Sequence, residues 1–254
     1  MKNIKKALYI ADIHWPLHDK KCFDLYMQIA EAEKPDYLIL LGDCFDAKGI
    51  SKFTYSDYED GLYDTVDELR GFRKHYFKPL VEACGKDVDV RWVLGNHDGE
   101  RITKILERIE ITCNRQRFLD YKNKLDLPTI FPEVKFTEYR KTDNIGKLYF
   151  THGTYHNVAH PKKHAESYCQ CIVYGHLHTY ASYTAITEAK IKAHTGISIP
   201  CACNTNPDYM KNKPSSWVQG YAFAYHYPDG YFDISVKFIF KGRSILNGNL
   251  YIAR

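Results

Sequence analysis

The sequence predicts an α/β fold in which helices cover the faces of a sheet. Three observations support this. Short apolar runs ending in polar residues alternate with stretches of helical period through the first hundred residues. Strand-like runs dominate from about residue 134 onward. No repeat, low-complexity tract or linker interrupts the 254 residues, a length able to bury a full core without disulfide or metal staples. The expectation is one domain spanning 1–254, with helical insertions around 50–85 and 100–130.

"KALYIADIH" reads as a short buried strand with a polar end. In 20–33, Phe23, Met27 and Ala30 fall at helical spacing, and Pro35-Asp36 stops the helix. "YLILLGD" is a second strand and "VRWVLGNHD" a third. Between them Leu62, Val66, Leu69, Phe72, Tyr76, Leu80 and Val81 form the apolar stripe of a helix over roughly 63–84. Residues 100–125 read as helical and basic. "VKFTEYR", "KLYFTHG", "CIVYGHLH", "YASYTAITEAKIKAHTG", "GYAFAYHYPDG" and "YFDISVKFIF" follow as strands, and Pro228-Asp229-Gly230 marks a hairpin turn.

The net charge of +4 is too small to predict nucleic-acid binding by itself. It is unevenly spread. Asp57, Glu59, Asp60, Asp64, Asp67 and Glu68 crowd one segment, and Arg101, Lys104, Arg108, Arg115, Arg117, Lys122 and Lys124 crowd another. The basic segment suits phosphate, or is the solvated face of a helix. Among eight cysteines are two Cys-x-Cys pairs, Cys169/Cys171 and Cys201/Cys203. Zinc sites ordinarily space their cysteines more widely, so these pairs read as small buried strand residues. The basic start "MKNIKKALYIAD" is cut by Asp12 before a signal sequence forms, and no apolar run nears the ~18 residues of a membrane span. A cytoplasmic chain with reduced thiols and no membrane partner is expected.

The strand ends carry the chemistry: Asp12-Ile13-His14, Gly42-Asp43, Gly95-Asn96-His97-Asp98, Thr151-His152-Gly153 and Gly175-His176-Leu177-His178. In open α/β sheets the carboxyl ends of strands converge on one crevice. Five segments would then bring carboxylates, an amide and imidazoles together. One such residue is more often a cap or turn; the whole series is more than one ion needs and suits two ions bridged by a carboxylate.

These motifs, in this order, resemble the calcineurin-like metallophosphoesterase superfamily, over about two-thirds of the chain. The resemblance implies a four-layer α/β/β/α sandwich, two mixed sheets flanked by helices. It implies that Asp12, His14 and His178 hold one ion, that Asn96, His152 and His176 hold a second, and that Asp43 bridges them. His97 would stand beside the ions as a general acid, with Asp98 orienting its ring. Asp46 is left without a role. "KPSSWVQGYAFAYHYPDGYF" resembles the tail of some phage and prophage members, and this region is expected in the second sheet.

The implied activity is hydrolysis of a phosphate ester by hydroxide generated between two divalent ions. Oxygen and nitrogen ligands without thiolate, together with the resemblance, favour Mn2+, with Fe, Zn, Ni or Mg as alternatives. Substrate choice lies in loops. Phe53, Tyr55, Tyr58 and Tyr63 offer stacking to a base, or core packing; Arg101, Lys104, Arg108, Arg115 and Arg117 offer charge to phosphate. His156, His160 and His164 repeat at helical spacing and either contact phosphate or form a solvated helix end. The preferred substrate is a nucleotide or single-stranded nucleic-acid phosphodiester. A protein or small-molecule phosphomonoester is the alternative; a non-catalytic scaffold is disfavoured by the intact His97 and ligand set.

Overall fold

A computed structural model describes residues 4–51, 58–187, 192–207, 210–211 and 215–254. β1 (Lys5–Ile10), α1 (Lys20–Glu33) and β2 (Tyr37–Leu40) come first. Asp19 caps α1 by accepting from the backbone N–H groups of Lys21 and Cys22. Cys22, Leu25, Tyr26, Ile29 and Ala30 form its buried face, with Phe23 and Met27 at the margin. α2 (Tyr58–Phe72) runs through a π-helical turn, Arg73–Phe77, into α3 (Lys78–Cys84). The expected apolar stripe is buried along this helix, with Val81 at its margin, and the helix begins earlier than the stripe.

β3 (Asp89–Val93), α4 (Ile102–Thr112), α5 (Arg115–Lys124), α6 (Leu127–Ile130) and β4 (Val134–Thr137) follow. After them come β5 (Asp143–Ile145), β6 (Leu148–Thr151), α7 (His160–Tyr168), β7 (Cys171–Tyr174), β8 (Ala181–Thr187), β9 (Lys192–Ser198), β10 (Gly220–His226), β11 (Phe232–Phe238), β12 (Arg243–Leu246) and β13 (Asn249–Ile252).

Two large mixed sheets result. One runs β11-β10-β1-β2-β3-β4 and the other β5-β6-β7-β9-β8. Alternation along the strands builds two cores. Ala7, Tyr9, Ile39 and Val93 point to one face and meet Leu148, Phe150 and Val173 from the facing sheet. Leu8, Ile10, Leu38, Leu40 and Trp92 point to the other and pack beneath α1, α2, α3 and α4. α7 covers the outer face of the second sheet, where Gly196 leaves room for the carbonyl of Pro161. The layers are helix, sheet, sheet, helix, as the resemblance implies.

Two features differ from expectation. β10 and β11 belong to the first sheet, not the second: β10 pairs antiparallel with β1, Leu8 standing opposite Phe223. β10 is covered on both faces, so its residues carry no alternation that would assign it to one sheet or the other. The β12–β13 hairpin turns at Asn247-Gly248, both with positive φ. That Asn-Gly pair is the signal that marks it. No helix among the described residues is long and apolar enough to cross a membrane.

Candidate metal centre

The strand-end residues converge. His14 Nε2 lies 3.2 Å from His178 Nε2, which lies 3.4 Å from Asp12 Oδ1. His152 Nε2 lies 3.3 Å from Asp43 Oδ2, 3.1 Å from His176 Nδ1 and 3.0 Å from Asn96 Oδ1. Asp43 Oδ2 is also 3.8 Å from His14 Nε2, so one carboxylate faces both groups. Metal–donor bonds of about 2.1 Å meeting near a right angle set two donors about 3 Å apart, so both groups fit a divalent ion. The far ring nitrogens agree. Nδ1 of His14 meets Asp46 Oδ1 at 3.0 Å and Nδ1 of His152 meets the carbonyl of Leu41 at 2.7 Å. With a proton on each Nδ1, each Nε2 lone pair turns to the centre.

The loops that present these groups are strained and tightly laced. Asp12, His14, Asp43, His176 and His178 all have φ between 49° and 75°. Each left-handed residue costs on the order of 1–3 kcal/mol, and Asp and His tolerate it better than branched residues do. The N–H of Asp12 donates to the carbonyl of Gly42, that of His14 to Asp43 and that of Gly175 to His152. Gly95 is required by contact: a Cβ there would strike the Asp43 carboxylate. Burial opposes the ionisation of Asp43, yet His152, His97 and His14 hold its carboxyl well below the usual range. Burial alone would lower His152, but Asp43 and Asp12 lift it to about 10, so a divalent cation held there would displace the Nε2 proton.

His97 stands at the edge of the centre, Nε2 3.9 Å from Asp43 Oδ2. Its Nδ1 lies 2.8 Å from the Asp46 carbonyl and 3.1 Å from the Asp46 carboxylate. Arg101 donates to that same carbonyl and its Nη2 lies 3.0 Å from His97 Nε2. Asp98 does not orient the ring, contrary to expectation. It accepts from the backbone of Gly95 and Cys44 and from Trp92 Nε1. Consecutive helical residues point about 100° apart, so Asp98 turns inward as His97 turns to the centre. Burial and the charge of Asp43 raise Asp98 to about 6.

The expected substrate contacts divide. Arg101 is at the edge of the centre, beside His97. Lys104 is exposed, paired with Glu100 at 3.0 Å on a cavity of about 470 Å³ shared with Glu138 and Tyr139. Arg108, Arg115 and Arg117 lie on exposed helix surface, and His156 is exposed on the loop after β6. Tyr55 falls outside the described residues. His160 and His164 are buried rather than solvated, because α7 turns that face onto the sheet. His164 Nε2 accepts from the N–H of Thr154, and His160 Nδ1 meets Tyr174 Oη at 2.8 Å. They hold the loop that follows His152. The sequence reading passed over Trp217, whose ring meets His178 at 4.1 Å between centroids. Trp217 also lines a cavity of about 200 Å³ with Gln219, Phe238, Phe240 and Lys241.

Two groups of side chains able to hold a metal ion share one carboxylate at the strand ends of a double-sheet sandwich, an arrangement suited to metal-dependent hydrolysis. The sequence matches the calcineurin-like phosphoesterase family over residues 5–180, and the chain belongs to that family. It is therefore a hydrolase of phosphate esters, from a family that depends on a dinuclear metal centre. No curated protein sequence matches it. Among solved structures it is similar to Vacuolar Protein Sorting 29 from Cryptosporidium parvum, at 13% identity over 98% of this chain and 96% of that one, with a TM-score of 0.46. It is also similar to a dimetal phosphatase from Danio rerio, at 14% identity over 91% and 95%, with a TM-score of 0.43. A third is the phosphoesterase Yfce from E. coli, at 13% identity over 91% and 98%, with a TM-score of 0.36.

Proposed function

We propose that this phosphoesterase cleaves phosphodiesters of nucleotides or single-stranded nucleic acid. Asp12, His14 and His178 would hold one Mn2+, Asn96, His152 and His176 a second, and Asp43 would face both. Bound there, the ions supply Lewis-acid polarisation of the phosphoryl group and activation of water. The chain's own residues do the rest. Asp46 accepts the Nδ1 proton of His97, so Nε2 accepts from Arg101; to act as the general acid, Nε2 would take up a proton as Arg101 turns to the substrate and pass it to the departing oxygen. Arg101, beside that nitrogen, offers its guanidinium to a phosphate oxygen. Eight free cysteines fit a reducing, cytoplasmic setting.

The observation that carries the substrate class is the Trp217 cavity. Its wall residue Trp217 packs against His178, and Trp217 and Phe240 offer stacking surfaces beside Lys241. A base stacked on Trp217 would touch a ring that itself packs against His178. The test compares bis-p-nitrophenyl phosphate, p-nitrophenyl phosphate, dinucleotides and a simple alkyl phosphodiester under Mn2+. Diesters should outrun the monoester. Trp217→Ala should raise KM for dinucleotides about tenfold and leave the alkyl diester unchanged, since stacking is worth about 1–3 kcal/mol per base. A monoester preference, or equal loss on both diesters, contradicts the reading.

A further inference from the structure

Cys201 and Cys203 follow β9 in extended backbone. Cys201 bridges to Gln219, Cys203 bridges to His18, and the N–H of Ala202 between them donates to the carbonyl of Ala11 at 2.9 Å. Residues two apart in extended chain point the same way. Both thiols accordingly converge on His178, and Cys203 Sγ lies 3.7 Å from its Nδ1. The two sulfurs and a ring nitrogen of His178 lie within 4.8 Å of one another, and all three side chains are buried. Nε2 of the same ring faces Asp12 and His14. One imidazole thus separates a hard ligand set from a soft one.

We propose that Cys201, Cys203 and Nδ1 of His178 form a third metal site, for a thiophilic divalent cation such as zinc or cadmium. In a tetrahedral site, bonds of about 2.3 Å to sulfur and about 2.05 Å to nitrogen set the two donors about 3.5 Å apart, close to the separation found. The set is Cys2His, with the fourth position left to water. Two thiolates cancel the charge of a divalent ion, so the assembly is compatible with burial. Sulfur ligands also separate the sites by preference, because Mn2+ favours the oxygen-rich pair and the thiols favour the softer ion. Binding is redox-neutral. Both thiols and the ring of His178 release their protons to solvent, Cys201 giving up its S–H bond to the carbonyl of Val218, and the imidazolate bridges the two sites. The spacing Cys-x-Cys is short for zinc by itself; a histidine from the β7 strand end supplies what the pair lacks.

The test uses the full chain loaded first with Mn2+ and then titrated with Cd2+. Sulfur-to-cadmium charge-transfer absorption in the ultraviolet should appear and saturate at one cadmium per chain. The Cys201→Ser/Cys203→Ser double variant should show none of it. Absence of the band in the wild-type chain, or its persistence in the double variant, overturns the proposal. A measurement on the wild type alone guards against a variant that folds poorly. With Mn2+ preloaded and one equivalent of Zn2+ added, X-ray absorption at the zinc edge should find sulfur neighbours; a shell of nitrogen and oxygen only would overturn the site. Neither readout involves turnover, so the outcome is independent of the hydrolytic reading.

Discussion

Asp46 holds His97 twice, through its carbonyl at 2.8 Å and its carboxylate at 3.1 Å from Nδ1. The same carboxylate lies 3.0 Å from Nδ1 of His14. One residue therefore fixes both the ring of His14 and the ring of His97, the general acid of the proposed reaction. Asp46→Asn should lower turnover roughly 10–100-fold and weaken ion retention, the usual effect of losing such a supporting contact. Steady-state rates and elemental analysis check both. Unchanged turnover would remove Asp46 from the account.

His97→Ala should lower turnover by roughly 10²–10⁴-fold if the residue acts as general acid. Both ions should stay, because His97 is not among the residues assigned to hold them. Elemental analysis beside the rate measurement separates the two effects. A variant as fast as wild type would refute the role.

His176 and His178 are two residues apart yet face different groups, His176 toward His152 and His178 toward His14. Each single replacement by Ala should lower Mn2+ content by one ion per chain. The double replacement should leave none. One ion retained in the double variant would mean that both histidines serve the same site.

Glu68, which contacts the Asp46–Ala47 backbone, gives a pH prediction for stability rather than for turnover. It accepts from the N–H of Ala47 at 2.8 Å, and burial lifts it to about 7 from an ordinary 4.5. Between those values the folded chain keeps a proton that the unfolded chain releases, so stability falls as pH rises through the window. The full effect is on the order of 3 kcal/mol. Glu68→Gln should be more stable than wild type in urea at pH 8, with the difference closing toward pH 4. Equal midpoints at pH 8 would contradict this.

The centre was legible because each site residue ends an apolar run buried on both faces, so the sequence itself marks where a strand stops and a polar group begins. Conformation was not legible. The residue types at positions 12, 14, 43, 176 and 178 permit a left-handed backbone without announcing it. Nearness in sequence misled for Asp98, which adjoins His97 but turns inward, whereas Asp46 reaches that ring from another loop. His160 and His164 look solvated by composition. Tyr174 and the N–H of Thr154 satisfy them inside the sandwich instead. β10 lost its sheet assignment because burial on both faces erases alternation.

The central claim is that two ions held around Asp43 together make the chain a phosphoesterase. The most direct test strips the protein with a chelator and returns Mn2+ while bis-p-nitrophenyl phosphate hydrolysis is followed. Activity should be absent at the start and reach its plateau at two ions per chain. A plateau at one ion per chain, or hydrolysis by the stripped protein, would contradict the account.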